Sequence, residues 1–516
     1  MSAATPAPTH DVPPSAGQGA DADASGPFAP GRTRKTLLGL CAAALLLRLL
    51  GKLNSGLWYD EIWTLVDFGR LPFLKLVTSF GTDNNHPLYS LLSWLSLRTL
   101  GESAFALRLP ALVFGVLSIG ALYVYARRVT NESQALIATL LLTTSYHHVW
   151  FSQNARGYTL LLFFTIASTY FFEDLLDGRS RRSIFPYALT LALGTYSHLT
   201  GLFVAFAHLA VYAHVLAYAH ERKARPAYAR LWPLQGLVLA GVVSVLLHAL
   251  LLRDMIAFFT KPGGSHGHVT SAWSSPWWTI AEVARSLGFG LFPGLFVLGS
   301  ALLVLVVGSV SYARQSVPRL LLFLLPGAFG VAAMLALGRN LWPRFFFFQA
   351  GFILLIVVRG LSAITGWLAR ASANPNPERI ERGLFALAIG VLTLAWLAML
   401  PRAYFVPKQD FEGAMHYVQA NRKPGEVVLT TGLTVLPYQR YYRTDFVPVE
   451  TLAELDHALS TSRGAYVLHT LPTFLEARVP ELTQALAQRG REVKRFRGSV
   501  GDGDVIVLRL PAPAKE

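Results

Sequence analysis

The sequence is poor in cysteine and in charge. Its 516 residues include a single cysteine, Cys41, so an internal disulfide and a cysteine metal cluster are both excluded. A lipid-modified cysteine would follow a small residue, and Cys41 follows Leu40, so lipid attachment is not expected there. Charged residues make up only 15% of the chain against 53% hydrophobic residues, with a mean hydropathy of +0.41. This balance is too apolar for an ordinary soluble protein.

The apolar residues are gathered into long runs separated by short polar segments. A helix of about 20 apolar residues spans the ~30 Å hydrocarbon core of a bilayer. We therefore predict an all-α polytopic membrane protein with about eleven transmembrane helices, in which the helix count around 184–219 depends on a break at Ser197–Thr200. The predicted spans are 36–53, 105–126, 134–150, 158–173, 184–197, 200–219, 232–252, 284–311, 319–338, 345–368 and 383–400.

The N-terminal region differs from the rest of the chain. Residues 1–31 are rich in Ala, Pro, Gly, Ser and Asp and are predicted to be a disordered cytoplasmic tail. Arg32, Arg34 and Lys35 precede the first apolar run, as they would in a signal peptide. The run ends in Arg48 and Lys52 rather than at a small-residue cleavage site, which favours an uncleaved first helix.

The formal net charge of +15 would suit a nucleic-acid-binding protein, but its distribution argues against one. Arg and Lys cluster in alternate short loops, which is the pattern that orients a membrane protein with its basic loops in the cytoplasm. This pattern predicts a multi-pass membrane protein with a cytoplasmic N-terminus and a transmembrane domain at 32–400. It places the loop 54–104 and the C-terminus on the outer face of the membrane. The basic loops carry Arg127 and Arg128; Arg179, Arg181 and Arg182; Arg222, Lys223, Arg225 and Arg230; Arg314 and Arg319; and Arg370, Arg379 and Arg382.

After Pro401 the composition becomes that of a soluble protein, and residues 401–516 are predicted to form a small periplasmic α/β domain. Strands are predicted at 426–431, 465–469 and 505–510, and helices at 410–421, near 451–460 and at 473–489. This region contains no Gly-rich phosphate loop and no nucleophile motif. A role in packing or in guiding an acceptor is therefore favoured over a second active site.

Two adjacent carboxylates follow the first span, in the stretch Leu57-Trp58-Tyr59-Asp60-Glu61-Ile62-Trp63-Thr64. Acidic side chains beside a bilayer core are costly, so they indicate a functional site. The alternative is a solvated loop with an interfacial belt of Trp and Tyr, which explains the aromatics but not the acidic pair.

The loops on the same face as this pair contain few basic residues: Arg156, Arg253, Lys261, Arg339 and Arg344. Arg156, Arg339 and Arg344 lie there against the charge rule, and anion binding would be a reason. Guanidinium groups bind phosphate well, so a carboxylate beside them would suit group transfer from a lipid phosphate, with Asp60 as general base. Snorkelling to the headgroups is the alternative for these arginines. The candidate catalytic residues are Asp60 and Glu61, and the candidate substrate-binding residues are Asp83, His86, Tyr89, Gln153, Arg156, Tyr158, His198, Arg339 and Arg344.

Several of these polar residues have structural interpretations as well. His86 and Asp83 could each cap a helix, and His198 could be hydrogen-bonded between helices. His266 and His268 could be a metal pair, but no third ligand is evident, and the surrounding glycines favour a mobile lid.

An ordered series of motifs resembles the GT-C superfamily of membrane glycosyltransferases. The series is Asp60-Glu61 after the first span, Asn85-His86-Pro87-Leu88-Tyr89, Phe105-Ala106-Leu107-Arg108-Leu109-Pro110-Ala111-Leu112, and Ser152-Gln153-Asn154-Ala155-Arg156-Gly157-Tyr158. It is similar to the bacterial branch related to protein O-mannosyltransferase, lipid A aminoarabinose transferase and lipopolysaccharide-core galacturonosyltransferase-like proteins. The resemblance covers roughly residues 36–365. Asp410 to Ala414 and Lys423 to Glu426 also resemble the start of the outer domain of such proteins.

The resemblance implies an inverting transfer of a sugar from a polyprenyl-phosphate donor to an envelope acceptor on the periplasmic side. It implies Asp60 as the base, Glu61 as its frequent neighbour, and Arg156 and Tyr158 beside the donor phosphate. Arg344 falls where many relatives have an Arg-Tyr pair, although Phe345 follows it here. Metal use varies across the superfamily. No metal cofactor is expected, since no carboxylate–His cage is evident. Use of a divalent ion is kept as an alternative.

The alternative is a polytopic lipid or solute transporter without transferase activity. Transporters often carry internal repeats and polar sites at the membrane midplane. This sequence has no convincing repeat, and its polar residues crowd one face. A non-catalytic assembly subunit is a third interpretation. The expected partners are the lipid bilayer, the lipid-linked donor and an envelope acceptor, with no nucleic acid.

Overall fold

The computed structural model describes residues 32–51, 53, 55–82, 85–218, 227–260, 275–286 and 291–511. The predicted tail at 1–31 lies outside these residues. A helical bundle extends to residue 405 and is followed by a small domain built on a sheet. The helices up to that point are α1 (Arg32–Leu49), α2 (Tyr59–Thr64), α3 (Phe73–Thr78), α4 (Pro87–Leu100), α5 (Ala104–Val129), α6 (Glu132–Thr144), α7 (Tyr146–Ser152), α8 (Tyr158–Leu176), α9 (Ile184–Ser197), α10 (Gly201–Ala217), α11 (Trp232–His248), α12 (Leu252–Thr260), α13 (Pro276–Ser286), α14 (Leu291–Gln315), α15 (Val317–Ala336), α16 (Ala350–Ala371) and α17 (Pro377–Phe405).

Each of the eleven predicted spans coincides with a helix or helix pair. Seven helices in the described part of the chain are long and apolar enough to cross a membrane: those containing α5, α8, α11, α14, α15, α16 and α17. The other four predicted spans correspond to α1, the α6–α7 pair, α9 and α10, which are shorter or more charged. The predicted fold class of an all-α polytopic membrane protein is confirmed. The count of eleven and the side of each loop stay predictions.

Two local breaks shape the end of the bundle that carries the acidic pair. Ser145 leaves the helical conformation between α6 and α7, where its hydroxyl accepts a hydrogen bond from the amide of His148. This break divides the predicted span 134–150 and directs the chain into residues 153–157. A second irregular segment, the 3₁₀ turn Pro343–Gln349, precedes α16 and carries Arg344.

The C-terminal domain is a five-stranded mixed sheet with helices α18 (Phe411–Asn421), α19 (Leu452–Ser460), α20 (Pro472–Arg478) and α21 (Pro480–Arg489). Its strand order is β2-β1-β3-β5-β4, with β1 parallel to β2 and β3, and β5 antiparallel to β3 and β4. The strands are β1 (Val427–Thr430), β2 (Val447–Pro448), β3 (Gly464–His469), β4 (Arg491–Phe496) and β5 (Val505–Pro511).

The three predicted strands are present, whereas β2 and β4 were not predicted. β2 has only two residues, and β4 is largely exposed, so it lacks the apolar alternation that marks a half-buried strand. The helix predicted at 473–489 is divided before Pro480, because proline disfavours the helical conformation in the residue preceding it. Helix α17 continues through Pro401 to Phe405, so it passes the predicted domain boundary at 400–401.

The sheet domain packs directly on the first loop of the bundle. Leu57, Ile62 and Tyr89 share a buried apolar core with Phe411 and Tyr438. An ion pair between Arg440 and Asp67, 2.6 Å apart, adds to this contact. The domain is therefore held against the short helix α2 that carries the acidic pair.

Candidate active site

Asp60 and Glu61 both lie in the first turn of α2, where negative charge suits the helix N-terminus. Successive residues on a helix point about 100° apart, because a turn takes 3.6 residues. The two carboxylates therefore enter different surroundings.

Glu61 is fully buried within an ion-pair network. Its carboxylate accepts hydrogen bonds from Arg108 Nε at 2.7 Å and Nη2 at 2.5 Å, and from the Ala155 amide at 2.8 Å. Lys408 Nζ lies 3.2 Å away. Burial alone would raise the pKa of Glu61, but the charges of Arg108 and Lys408 and the hydrogen bonds outweigh it and lower the pKa to about 2. Glu61 is thus a fixed anion that ties α2 to the bundle.

Asp60 has a different environment. Its Oδ2 lies 3.5 Å from Arg344 Nη1 and 4.0 Å from Arg156 Nε. This oxygen is buried and has no hydrogen-bond partner among the described residues. Buried carboxylate oxygens are ordinarily hydrogen-bonded, so an exception indicates a functional group. Asp60 therefore presents a buried carboxylate oxygen to two guanidinium groups and accepts a hydrogen bond from neither.

His86, Tyr158 and His198 form an aromatic wall beside the arginines. The His86 ring lies 4.7 Å from His198 and 5.5 Å from Tyr158, measured between ring centroids. His86 Nδ1 donates to the Ser197 carbonyl at 3.1 Å, whereas His198 Nδ1 accepts from the Thr200 amide at 3.2 Å. Burial, followed by the positive charge of Arg156, lowers the pKa of His86, and the same causes lower that of His198 to about 3. Both imidazoles are neutral at physiological pH.

Gly157 permits the close approach of this wall. A Cβ atom at position 157 would lie 2.6 Å from the Ser197 carbonyl oxygen and 3.0 Å from His86 Nδ1. Real side chains do not tolerate the shorter distance, so only glycine fits without moving His86 or Ser197. Arg156 and Tyr158, on either side of this glycine, are thereby brought against His86.

The structure brings six predicted residues together: Asp60, His86, Arg156, Tyr158, His198 and Arg344. Three others have separate contacts. Tyr89 is buried and donates to the Leu107 carbonyl at 2.6 Å, and Gln153 donates to the carbonyls of Arg48 and Leu50 at the end of α1. Arg339 is half-buried and forms no ion pair within the described part of the chain.

Asp83, His266 and His268 lie outside the described residues. Within the ranges that are described, no three His, Cys, Asp or Glu side chains are grouped as metal ligands.

The sequence analysis gave no role to Arg108, Lys408 or Gln409. A role for Arg108 could have been predicted, because a charged residue near the start of an apolar span is costly and indicates a function. No such prediction was possible for Lys408 and Gln409, because they follow Glu61 by more than 340 residues and occupy an ordinary polar segment.

Comparison with known proteins shows which families and structures this chain is similar to. Residues 84–248 match the family profile described as dolichyl-phosphate-mannose-protein mannosyltransferase, a range that includes His86, Arg156 and His198. No curated protein sequence gives a significant match.

Solved structures match over nearly the whole chain. ArnT from Cupriavidus metallidurans in the apo state has a TM-score of 0.50 at 13% identity, covering 92% of this chain and 97% of that one. The Archaeoglobus fulgidus oligosaccharyltransferase tethered with an acceptor peptide has a TM-score of 0.50 at 14% identity, covering 93% and 76%. The same archaeal enzyme, AglB, in complex with an inhibitory peptide and a dolichol-phosphate has a TM-score of 0.51 at 14% identity, covering 93% and 76%.

These structural likenesses show that the chain shares its fold with ArnT and the archaeal oligosaccharyltransferase, and the profile match covers about a third of the chain. The profile match and the shared fold both agree with the resemblance drawn from the motifs, which is to the GT-C superfamily of membrane glycosyltransferases.

Proposed function

We propose that the protein transfers a sugar, with inversion, from a polyprenyl-phosphate donor to a hydroxyl group of an envelope glycolipid, glycan or protein. The reaction would take place on the periplasmic side of a bacterial inner membrane. The observation that carries this proposal is the position of the Asp60 carboxylate. Its Oδ2 faces both Arg156 and Arg344 and accepts no hydrogen bond from a described residue. The dolichol-phosphate in the AglB complex supports a donor that combines a polyprenyl chain with a phosphate.

The arrangement fits a single displacement. The acceptor hydroxyl oxygen forms a bond to the anomeric carbon while the bond from that carbon to the phosphate oxygen breaks. The hydroxyl proton passes to Oδ2 of Asp60, which acts as general base. The electron pair of the broken bond stays on the leaving phosphate, and one displacement from the opposite side inverts the anomeric centre.

Arg156 and Arg344 would stabilise the charge that develops on the leaving phosphate. Arg156 is buried, and the Arg344 guanidinium lies over the Trp342 ring, 4.8 Å from its centroid. Preorganised cations of this kind stabilise a transition state without reorganisation at the moment of reaction. The neutral His86 and His198 rings and the buried Tyr158 hydroxyl supply further hydrogen-bonding groups for the sugar or the phosphate.

The proposal is tested with membranes that contain the protein and a panel of radiolabelled polyprenyl-phosphate sugars. Label that becomes covalently attached to a membrane lipid, glycan or protein, and is missing in membranes without the protein, supports transfer. Label that instead accumulates unchanged inside sealed vesicles would identify a transporter and overturn the proposal.

We expect Arg156→Ala to raise the donor KM by roughly 10- to 100-fold, with a smaller effect on the acceptor KM. The reason is that a charge-assisted hydrogen bond is worth about 1.5–3 kcal/mol. Initial rates measured against each substrate in turn check this expectation. Arg491→Ala is the matched control, since Arg491 is exposed on β4 and far in sequence from the site. An equal loss toward both substrates would point to a structural role for Arg156.

A further inference from the structure

The N-terminus of α2 is completed by a residue from the distant end of the chain. The Tyr59 backbone amide donates to Oε1 of Gln409 at 3.0 Å. The other end of the Gln409 amide donates from Nε2 to the Thr470 hydroxyl at 3.1 Å, within the sheet domain. The first amides of any helix lack partners inside that helix, so Gln409 satisfies a group that α2 cannot satisfy itself. Gln409 is buried in this position.

Lys408, the neighbouring residue, binds the same helix from another direction. Its ammonium donates to Glu61 Oε1 at 3.2 Å and to the Gln153 carbonyl at 2.5 Å, and it lies 5.1 Å from the centroid of a Trp150 ring. Gln153 begins the segment that carries Arg156. Lys408 therefore joins α2 to the segment that holds one of the two guanidinium groups facing Asp60.

These two contacts fall on Tyr59 and Glu61, the residues immediately before and after Asp60. We propose that Lys408 and Gln409 are positioning residues of the sheet domain that hold α2 so that the Asp60 carboxylate faces Arg156 and Arg344. This inference rests on the proposed function. It gives the C-terminal domain a part in positioning the proposed base.

The need for such support follows from the size of α2. Helix α2 has six residues and continues into a five-residue π-helical turn, Leu65–Gly69. The whole helical segment is still shorter than the about 12–15 residues that an isolated helix needs, because helix nucleation is costly. Arg108 fixes the Glu61 side chain, whereas Gln409 binds the backbone amide of Tyr59. Displacement of a reacting group by about 1 Å can slow a reaction by about 10²-fold, so loose anchoring of α2 would be felt in the chemical step.

The charge of Lys408 adds a pH-dependent readout. The charged groups that face its ammonium are Glu61 and Asp60 on α2 and Arg108 on α5. Burial, opposed by the attraction of Glu61, lowers the pKa of Lys408 to about 7. The ammonium is therefore charged and bound to Glu61 below this pH, and it loses its proton as the pH rises through about 7. The kcat of the wild-type protein should therefore fall as the pH rises above about 7, which gives its pH profile an alkaline limb.

The test measures kcat and KM for donor and acceptor in wild-type protein, Lys408→Met, Lys408→Arg and Gln409→Ala. Lys494→Met and Gln488→Ala are matched controls, because both residues are exposed in the sheet domain. We expect Lys408→Met and Gln409→Ala to lower kcat by roughly 10- to 100-fold, with the donor KM changed by less than about threefold. Lys408→Arg should restore most of kcat and remove the alkaline limb, since its guanidinium keeps its proton.

The outcomes separate this inference from the proposed function. Transfer by wild-type protein with full kcat in both Lys408→Met and Gln409→Ala would overturn the positioning role and leave the proposed function standing. Absence of transfer by wild-type protein with every donor would overturn both. If Lys408→Met does not fold, Gln409→Ala decides, because it removes a neutral hydrogen bond and leaves the Glu61 ion pairs intact. An alkaline limb that persists in Lys408→Arg would contradict the role of the Lys408 charge.

Discussion

Replacement of Asp60 by asparagine is expected to lower the rate of sugar transfer by about 10²- to 10⁴-fold, the usual contribution of a general base. Asparagine keeps the size of the side chain but cannot take the proton of the acceptor hydroxyl. Asp60 Oδ2 accepts no hydrogen bond from the described residues, so the substitution removes no such bond from that atom. Expression, membrane insertion and donor binding should therefore stay close to those of the wild type. Initial rates with saturating donor and acceptor measure the effect.

Asp456→Asn is the matched control for this experiment. Asp456 lies on the exposed face of α19, where it pairs with Arg489. The same chemical change there should leave the rate of transfer unaltered. Near-normal transfer by Asp60→Asn would remove Asp60 as the base and with it the mechanism proposed above.

Replacement of Glu61 by glutamine is expected to destabilise the protein rather than to act only on the chemistry. The change leaves the buried cations Arg108 and Lys408 without their anion, and breaking a buried ion pair costs about 3–5 kcal/mol. The pKa of Glu61 is lowered from 4.5 to about 2, so its ion pair with Arg108 is present at neutral pH and is lost only as the pH falls through about 2. Thermal unfolding of the detergent-solubilised protein at neutral pH measures the loss.

The chain offers a closely matched control in Glu102, which forms a two-pronged ion pair with Arg70 at 3.1 and 2.7 Å. The geometry resembles that of Glu61 and Arg108, but the Glu102 side chain is 49% exposed and that of Glu61 is not exposed at all. Exposed pairs contribute about 0.2–1 kcal/mol, so Glu102→Gln should shift the unfolding temperature little. Equal shifts for the two variants would mean that burial of the Glu61 network does not govern stability.

The different surroundings of Asp60 and Glu61 could not be predicted from the sequence, in which the two residues are simply neighbours. In the sequence both are acidic residues after a span, and both were predicted to be catalytic. Their separation arises because one side chain meets Arg108 and Lys408 while its neighbour meets Arg156 and Arg344. The partners come from α5, from the segment before α8, from the turn before α16 and from the residues after α17.

The sequence by itself determined the membrane-protein class, the positions of the helical spans and most of the small sheet domain. It also singled out Asp60, Arg156 and Arg344, because runs of about 20 apolar residues and charges beside them are local properties. Only the tertiary structure decided which charged groups meet. It gave Tyr89 and Gln153 hydrogen bonds to backbone carbonyls and brought Lys408 and Gln409 to α2. The physical reason is that burial and pairing depend on which distant segments pack together, and no local pattern encodes that choice.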